Sequence, residues 1–222
     1  MKKVMVFAPH PDDETLGCGG TMLKHVDNGD EVILVIATEM KEGKFLAEKI
    51  ICRMKEIEKV KELYKLSKLY ELKFPTMEID QIPKSKLVQK ISKLIAGEKP
   101  NIIYLPYRGD VHSDHKIVFD SVVSASKSFR NNSIERILCY ETISETDFSI
   151  NPDSNYFRPN VFVDISKYMH KKEEIISVYE SEIGEHPFPR SVECIRALAV
   201  VRGGMSSFKF AEAFMLLKER LE

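Results

Sequence analysis

The sequence predicts an α/β fold, a Rossmann-like three-layer sandwich on a mostly parallel sheet, with its catalytic loops at the C-terminal edge of the strands. Three observations carry that prediction. The chain opens on an apolar, β-branched run, Val4 to Ala8 (VMVFA), and repeats the pattern at Glu31 to Ala37 (EVILVIA), as strands covered on both faces do. Between them Thr15 to Asn28 has the length of a helix and is closed by Gly29-Asp30, so the opening reads β-α-β. Strand-like and helix-like segments then keep alternating, as a sheet with right-handed crossovers requires.

Leu46 to Leu66 is a long, charged amphipathic helix and Lys84 to Ala96 a shorter one. A third strand, Ile102 to Leu105 (IIYL), follows the Lys99-Pro100-Asn101 break. Asp114 to Phe129 reads as the next helix, and Arg136 to Tyr140 (RILCY), after Asn131-Asn132, completes a four-strand core. Beyond Ile143 the pattern loosens, with a strand at Asn160 to Asp164 and helices near Lys167 to Glu180 and Val192 to Val201. No repeat, low-complexity tract or linker interrupts the 222 residues, so 1–222 is expected to form one domain.

Lys and Arg total 33 against 34 for Asp and Glu, a net charge of -1. That balance supplies no field to recruit nucleic acid or an anionic membrane; it suits a small-molecule substrate and is compatible with a homo-oligomer. The four cysteines, Cys18, Cys52, Cys139 and Cys194, contain no C-x-x-C pair, which argues for reduced thiols and a cytoplasmic location. Met1-Lys2-Lys3 precedes an apolar run too short for a signal peptide, and no run has the length of a membrane span.

The chemistry concentrates in two loops. Pro9-His10-Pro11-Asp12-Asp13-Glu14 follows the first strand, and its prolines hold His10 extended between two stiff points. Arg108-Gly109-Asp110-Val111-His112-Ser113-Asp114-His115 follows the Ile102 strand. Loops after parallel strands gather at one edge of the sheet, so the two clusters meet there. Two histidines and a carboxylate around an open position form a catalytic zinc set; Fe2+ or another divalent ion fits the same donors. Glu14 serves either the helix dipole or the metal loop, and Asp114 either caps the helix that starts there or orients His112. Arg108, and Glu141 after the Arg136 strand, are candidate substrate contacts, and His186 in the stiff His186-Pro187-Phe188-Pro189-Arg190 segment is a weaker one. His25 and His170 are expected to be exposed. Gly17-Cys18-Gly19-Gly20 raises a rival reading, a nucleotide- or S-adenosylmethionine-binding Rossmann module without hydrolytic activity. Three carboxylates at the helix entrance would repel a pyrophosphate, and close helix packing explains the glycines more simply.

These two loops resemble those of the PIG-L/LmbE-like N-acetylglucosaminyl deacetylase family. The resemblance extends to Arg53-x-x-Glu56, to Ala197-Leu198-Ala199-x-x-Arg202-Gly203 and to Ala211-Glu212-Ala213-Phe214. It implies a zinc-dependent hydrolase that removes the acetyl group from an amino sugar or sugar conjugate. His10, Asp13 and His115 would hold the metal, and Asp12 would take the proton from the activated water. His112 would act as acid or electrostatic stabiliser, and Arg53 would contact a sugar hydroxyl or a phosphate. The chain departs from the family at Thr38-Glu39-Met40-Lys41-Glu42-Gly43, where many relatives read Ser-x-Gly-Glu-x-Gly.

Overall fold

Hydrophobic alternation along the first strand decides the layering. In the computed structural model, which describes residues 1–150 and 156–221, Val4, Val6 and Ala8 point to one side of the sheet and Met5 and Phe7 to the other. Each set is fully buried. In chain order the elements are β1 (Lys3–Ala8), α1 (Asp13–Asp27), β2 (Glu31–Glu39), α2 (Ala47–Tyr64), β3 (Lys68–Pro75), α3 (Lys84–Glu98) and β4 (Ile102–Pro106). They continue with α4 (Ser113–Ala125), β5 (Arg136–Tyr140), β6 (Val161–Asp164), α5 (Met169–Ile176), α6 (Val192–Gly204) and β7 (Ala211–Glu219). One core lies under α1, α2, α5 and α6, and the other under α3 and α4. The result is the three-layer sandwich predicted.

The sheet has seven strands in the order β3-β2-β1-β4-β5-β7-β6. β1 pairs in parallel with both β2 and β4, so the chain winds outward to one side of β1 and then restarts on the other. That reversal opens a crevice at the C-terminal ends of β1 and β4, the place where doubly wound sheets bind ligands. Both chemical loops leave from those two ends.

The four-strand core of the sequence reading is thus extended by three strands. β6 falls within one residue of its predicted start, but β3 and β7 carry no usable strand pattern. β3 (KLYELKFP) is an edge strand, and its Lys, Glu and Pro residues guard that edge against further pairing. β7 (AEAFMLLKE) is composed of good helix formers; antiparallel pairing to β5 and β6 overrides that propensity. α4 ends at Ala125, short of Phe129, where the Asn131 side chain donates to the Ala125 carbonyl at 2.8 Å. His25 is not free in solvent, since its ring contacts Asp30 at 2.8 Å and the Tyr104 hydroxyl at 3.1 Å.

The glycine cluster receives a structural explanation. α1 is broken at Cys18 (φ −145°, ψ 24°), which frees the amides at the start of its second half. Gly20 N and Thr21 N donate to the two carboxylate oxygens of Glu212 at 2.8 and 2.7 Å, and Lys172 Nζ bonds the same carboxylate at 2.7 Å. A Cβ on Gly17 would stand 2.1 Å from the Tyr140 ring, and one on Gly20 2.7 Å from Ile165. The anion at this cradle is therefore the chain's own carboxylate, and the nucleotide-binding alternative loses its only motif. Among the described residues no helix is long and apolar enough to cross a membrane.

Candidate active site

Asp12, at the N-cap of α1, has φ 127°, a left-handed backbone that residues other than Gly and Asn rarely adopt. Three interactions hold it there. Thr15 N and Leu16 N donate to its carbonyl at 2.9 Å, and its own N–H donates to Glu14 Oε2 at 3.1 Å. Glu14 is fully buried and also accepts from Thr15 Oγ1 and Tyr179 Oη at 2.8 and 3.0 Å. It supports the loop and does not face the cavity.

The tight turn brings Asp13 back beneath His10. His10 N donates to Asp13 Oδ2 at 2.8 Å, while His10 Nδ1 and His115 Nε2 stand 3.3 and 3.2 Å from the same oxygen. One potential ligand atom from each of His10, Asp13 and His115 lies within 4.8 Å of the others. Each imidazole is oriented through its other nitrogen: His115 Nδ1 meets Asp110 Oδ2 at 2.8 Å and His10 Nε2 meets Asp114 Oδ2 at 3.1 Å. Carboxylates placed so fix tautomers and raise ligand basicity in metal sites. His115 Nε2 is buried and satisfies no hydrogen bond, an orphan that a cation would relieve. The donor set therefore fits a divalent ion. A second grouping, His10 with His112 and Asp114, is geometrically close. Asp114 Oδ2 is engaged by Met77 N at 2.9 Å and by His10, while Asp114 Oδ1 is buried without a partner.

The cap of α4 differs from the sequence reading. His112 occupies the N-cap, and its Nδ1 accepts from Asp114 N at 3.1 Å. The Asp114 carboxylate thus orients His10, and its backbone N–H orients His112. With Nδ1 accepting, a neutral His112 ring carries its proton on Nε2 and offers it to the cavity.

Electrostatics separate the neighbouring carboxylates. Burial, then the negative charge of Asp13, pushes Asp12 well above the usual carboxylate range. Burial opposes ionisation of Asp13 too, but the His115 charge, then the hydrogen bond of His10, hold it far below that range. In the metal-free chain burial lowers His10, yet its bonds to Asp114 and Asp13 win and raise it to about 9. Burial, then the His10 cation, lowers His112 to about 4. With His10 as a ligand, metal uptake below about pH 9 would displace its proton. Affinity is expected to rise by about tenfold per pH unit per displaced proton between pH 6.5 and 9. Calorimetric zinc titration across that range measures it, and a flat profile would contradict the assignment of His10.

Of the site residues His10, Asp12, Asp13 and His112 line a cavity of about 300 Å³, together with Thr38, Glu39, Met40, Arg53, Glu145, Glu182 and Arg190. Arg53 is 6% exposed, and its donors are spent on the protein: Nη1 on the Pro11 carbonyl at 2.9 Å, Nη2 on Ser181 Oγ at 3.0 Å and on Glu182. Its Nε lies 3.0 Å from Glu56, so the Arg53-x-x-Glu56 spacing is an i,i+3 pair that braces the His10 loop. The Thr38 loop does the same from the other side, its N–H and hydroxyl donating to the Pro9 carbonyl at 3.1 and 2.8 Å. Arg108 and Glu141 do not line this cavity. Arg108 is bound to Asp120 at 2.7 Å on the surface, and Glu141 to Arg202 Nε at 2.8 Å.

Asp110, Glu145, Glu182 and Arg190 are not singled out by the sequence reading. Asp110 stands five residues before His115, a spacing that signals nothing by itself. Arg190 closes the stiff segment in which His186 was noted, and it is Arg190 that reaches the cavity, 4.0 Å from Asp12 Oδ2. His186 stays exposed at a distance from it.

The profile of one protein family, PIG-L: GlcNAc-PI de-N-acetylase, matches residues 5–126, a span that contains both site loops. The chain belongs to this family. Its PIG-L relatives include the diacetylchitobiose deacetylase of Thermococcus kodakarensis, 30% identical over 230 residues, covering 96% of this chain and 82% of the relative. The solved N,N'-diacetylchitobiose deacetylase of Pyrococcus horikoshii superposes with a TM-score of 0.76 at 25% identity, over 97% of this chain and 84% of that one. The conserved protein TT1542 of Thermus thermophilus shares the fold with a TM-score of 0.79 at 24% identity, over 100% and 97% of the two chains.

Proposed function

We propose that this PIG-L member is a zinc-dependent, cytoplasmic, single-domain hydrolase that removes the acetyl group from an amino sugar or small sugar conjugate. One observation carries the reading: His10, Asp13 and His115 converge on a common point with the strained, buried Asp12 beside them. Two imidazoles and one carboxylate suit zinc best, and Fe2+ next. His10, Asp13 and His115 would hold a divalent ion, whose chemistry would be to polarise the amide carbonyl and make a water easier to deprotonate at neutral pH.

The remaining work falls to side chains. With a divalent ion beside it to offset the burial and the Asp13 charge that raise it, Asp12 would be ionised and would take a proton from the attacking water as the carbonyl carbon becomes tetrahedral. His112 donates Nε2–H toward the developing oxyanion, so electrostatic stabilisation is the role its neutral ring offers in the resting site. When the C–N bond breaks, the nitrogen needs one proton, and Asp12 holds the one it removed. Acetate and a free amine are released. Arg53, Glu182 and Arg190 keep Asp12 in place and close the cavity wall.

N,N'-diacetylchitobiose is the first compound to try, because two similar proteins bear its name. The zinc-loaded chain should release acetate and a fluorescamine-reactive amine from it, from N-acetylglucosamine, or from a nucleotide-linked N-acetyl sugar. No amine from any member of such a panel, with metal bound, would count against the assignment.

A further inference from the structure

Glu145 is a carboxylate in the cavity that the reaction above does not use. It lies on the loop after β5 and lines the cavity beside His10, Asp13 and His112. Its Oε2 is buried and has no hydrogen-bond partner. The other acids buried near the metal loop have tasks: Asp12 in the reaction, Asp13 in the metal set, Asp110 and Asp114 Oδ2 on the two histidines, Glu14 on the loop, Glu182 on Arg53 and Arg190; Asp114 Oδ1 also lacks a partner, but Asp114 does not line the cavity. A buried acceptor without a donor costs on the order of 1–3 kcal/mol, so a native chain keeps one where a ligand supplies the donor.

The backbone holds Glu145 firmly for such a task. Glu145 N donates to the Thr142 carbonyl at 3.0 Å, and Val111 N donates to the Glu145 carbonyl at 3.2 Å. Next to it, Thr146 Oγ1 donates to Asp110 Oδ1 at 2.6 Å, the same carboxylate that orients His115. Ser144 takes φ 73° to close the turn. The Glu145 side chain is therefore set relative to the metal ligands by two cross-links between the loops after β4 and β5. It stands outside the group of atoms that converges on the metal position.

We infer that Glu145 is a specificity-determining residue that accepts a hydrogen bond from the substrate hydroxyl on the carbon next to the acetamido-bearing carbon. The inference rests on the amino-sugar reading above. An anionic substituent would meet Asp12 and Asp13 as well as Glu145, and the donors an N-acetyl sugar carries outside its reacting acetamido group are neutral hydroxyls. With the acetamido group over His10, Asp13 and His115, the adjoining equatorial hydroxyl is the nearest donor a pyranose presents. Sugars that lack it leave the carboxylate unpaired and are rejected.

The test compares the methyl glycoside of N-acetylglucosamine with its 3-deoxy analogue, using calorimetric Kd on zinc-loaded protein, metal content per chain, and acetate release. Wild type should bind the parent about 10-fold or more tighter than the deoxy compound. In Glu145→Ala the preference should fall to within about 2-fold, through loss of affinity for the parent alone, with metal content unchanged. Glu145→Gln, which keeps an acceptor oxygen and the side-chain shape, should retain part of the preference. Equal weakening of both ligands in Glu145→Ala, or loss of metal from Glu145→Gln, would overturn the inference. Hydroxyl-selective binding without acetate release would remove the deacetylase reading and leave Glu145 standing. Acetate release by a wild type that binds both glycosides equally would do the reverse.

Discussion

Replacing Asp12 with Asn is expected to leave zinc bound and to lower acetate release by a factor of about 10²–10⁴, the usual worth of a positioned general base. Asn preserves the shape of the side chain and tolerates a positive φ better than other residues, so the strained backbone at φ 127° should survive the change. The bonds from Thr15 N and Leu16 N run to the Asp12 carbonyl and are untouched. Asp13, the proposed carboxylate ligand, keeps its contacts to His10 and His115. Metal content, melting temperature and substrate Kd should accordingly stay near wild type while turnover collapses. A variant with wild-type turnover would remove Asp12 as the base, and one that lost the metal would make it a structural residue.

The second large effect concerns folding. Lys172 and Glu212 form an ion pair with both side chains only 4% exposed, and Glu212 also holds the two amides at the break in α1. Glu212→Gln leaves the buried Lys172 without its counter-charge, with the Leu16 carbonyl at 2.9 Å as its remaining neutral acceptor, which costs about 3–5 kcal/mol. Urea denaturation measures the loss directly; in a chain of this length it lowers Tm on the order of 10 °C. The double variant Glu212→Gln/Lys172→Met should recover part of the deficit, because it no longer buries a charge. A Glu212→Gln protein as stable as wild type would show that water reaches the pair. The Ala211-Glu212-Ala213-Phe214 motif is therefore conformational: it locks the first helix, and through it the His10 loop, onto the sheet.

What could be read beforehand follows from where the physics is local. β1, β2, β4 and β5 are buried on both faces, so their sequences are plain apolar runs, and the glycine stop after α1 marks its end. The His10 and His115 loops both follow strands of a parallel sheet, and their common edge was enough to expect them to meet; that their strands are neighbours is visible only in the fold. β3 and β7 lie where tertiary pairing outweighs composition, at a charged edge and in an antiparallel insertion of helix-forming residues. The same limit applies to the site. Asp13 and His115 stand in a dense motif, whereas Glu182 and Arg190 reach the cavity from a stretch without periodicity, and only the folded chain places Arg190 4.0 Å from Asp12. The chemical identity of Arg108 and Glu141 invited a substrate role. Their ion pairs with Asp120 and Arg202 are long-range facts that no window of sequence contains. Arg53 is the intermediate case, in the cavity wall but with its donors turned to the protein.

The central claim is that His10, Asp13 and His115 hold one divalent ion on which hydrolysis depends. Metal analysis of the His10→Ala/Asp13→Ala protein beside wild type, each stripped and then titrated with zinc while acetate release is followed, tests it most directly. Wild type should gain activity in proportion to zinc and plateau at about one equivalent per chain, with the double variant binding none tightly and releasing no acetate. A folded double variant that retained a full equivalent of zinc would contradict the account.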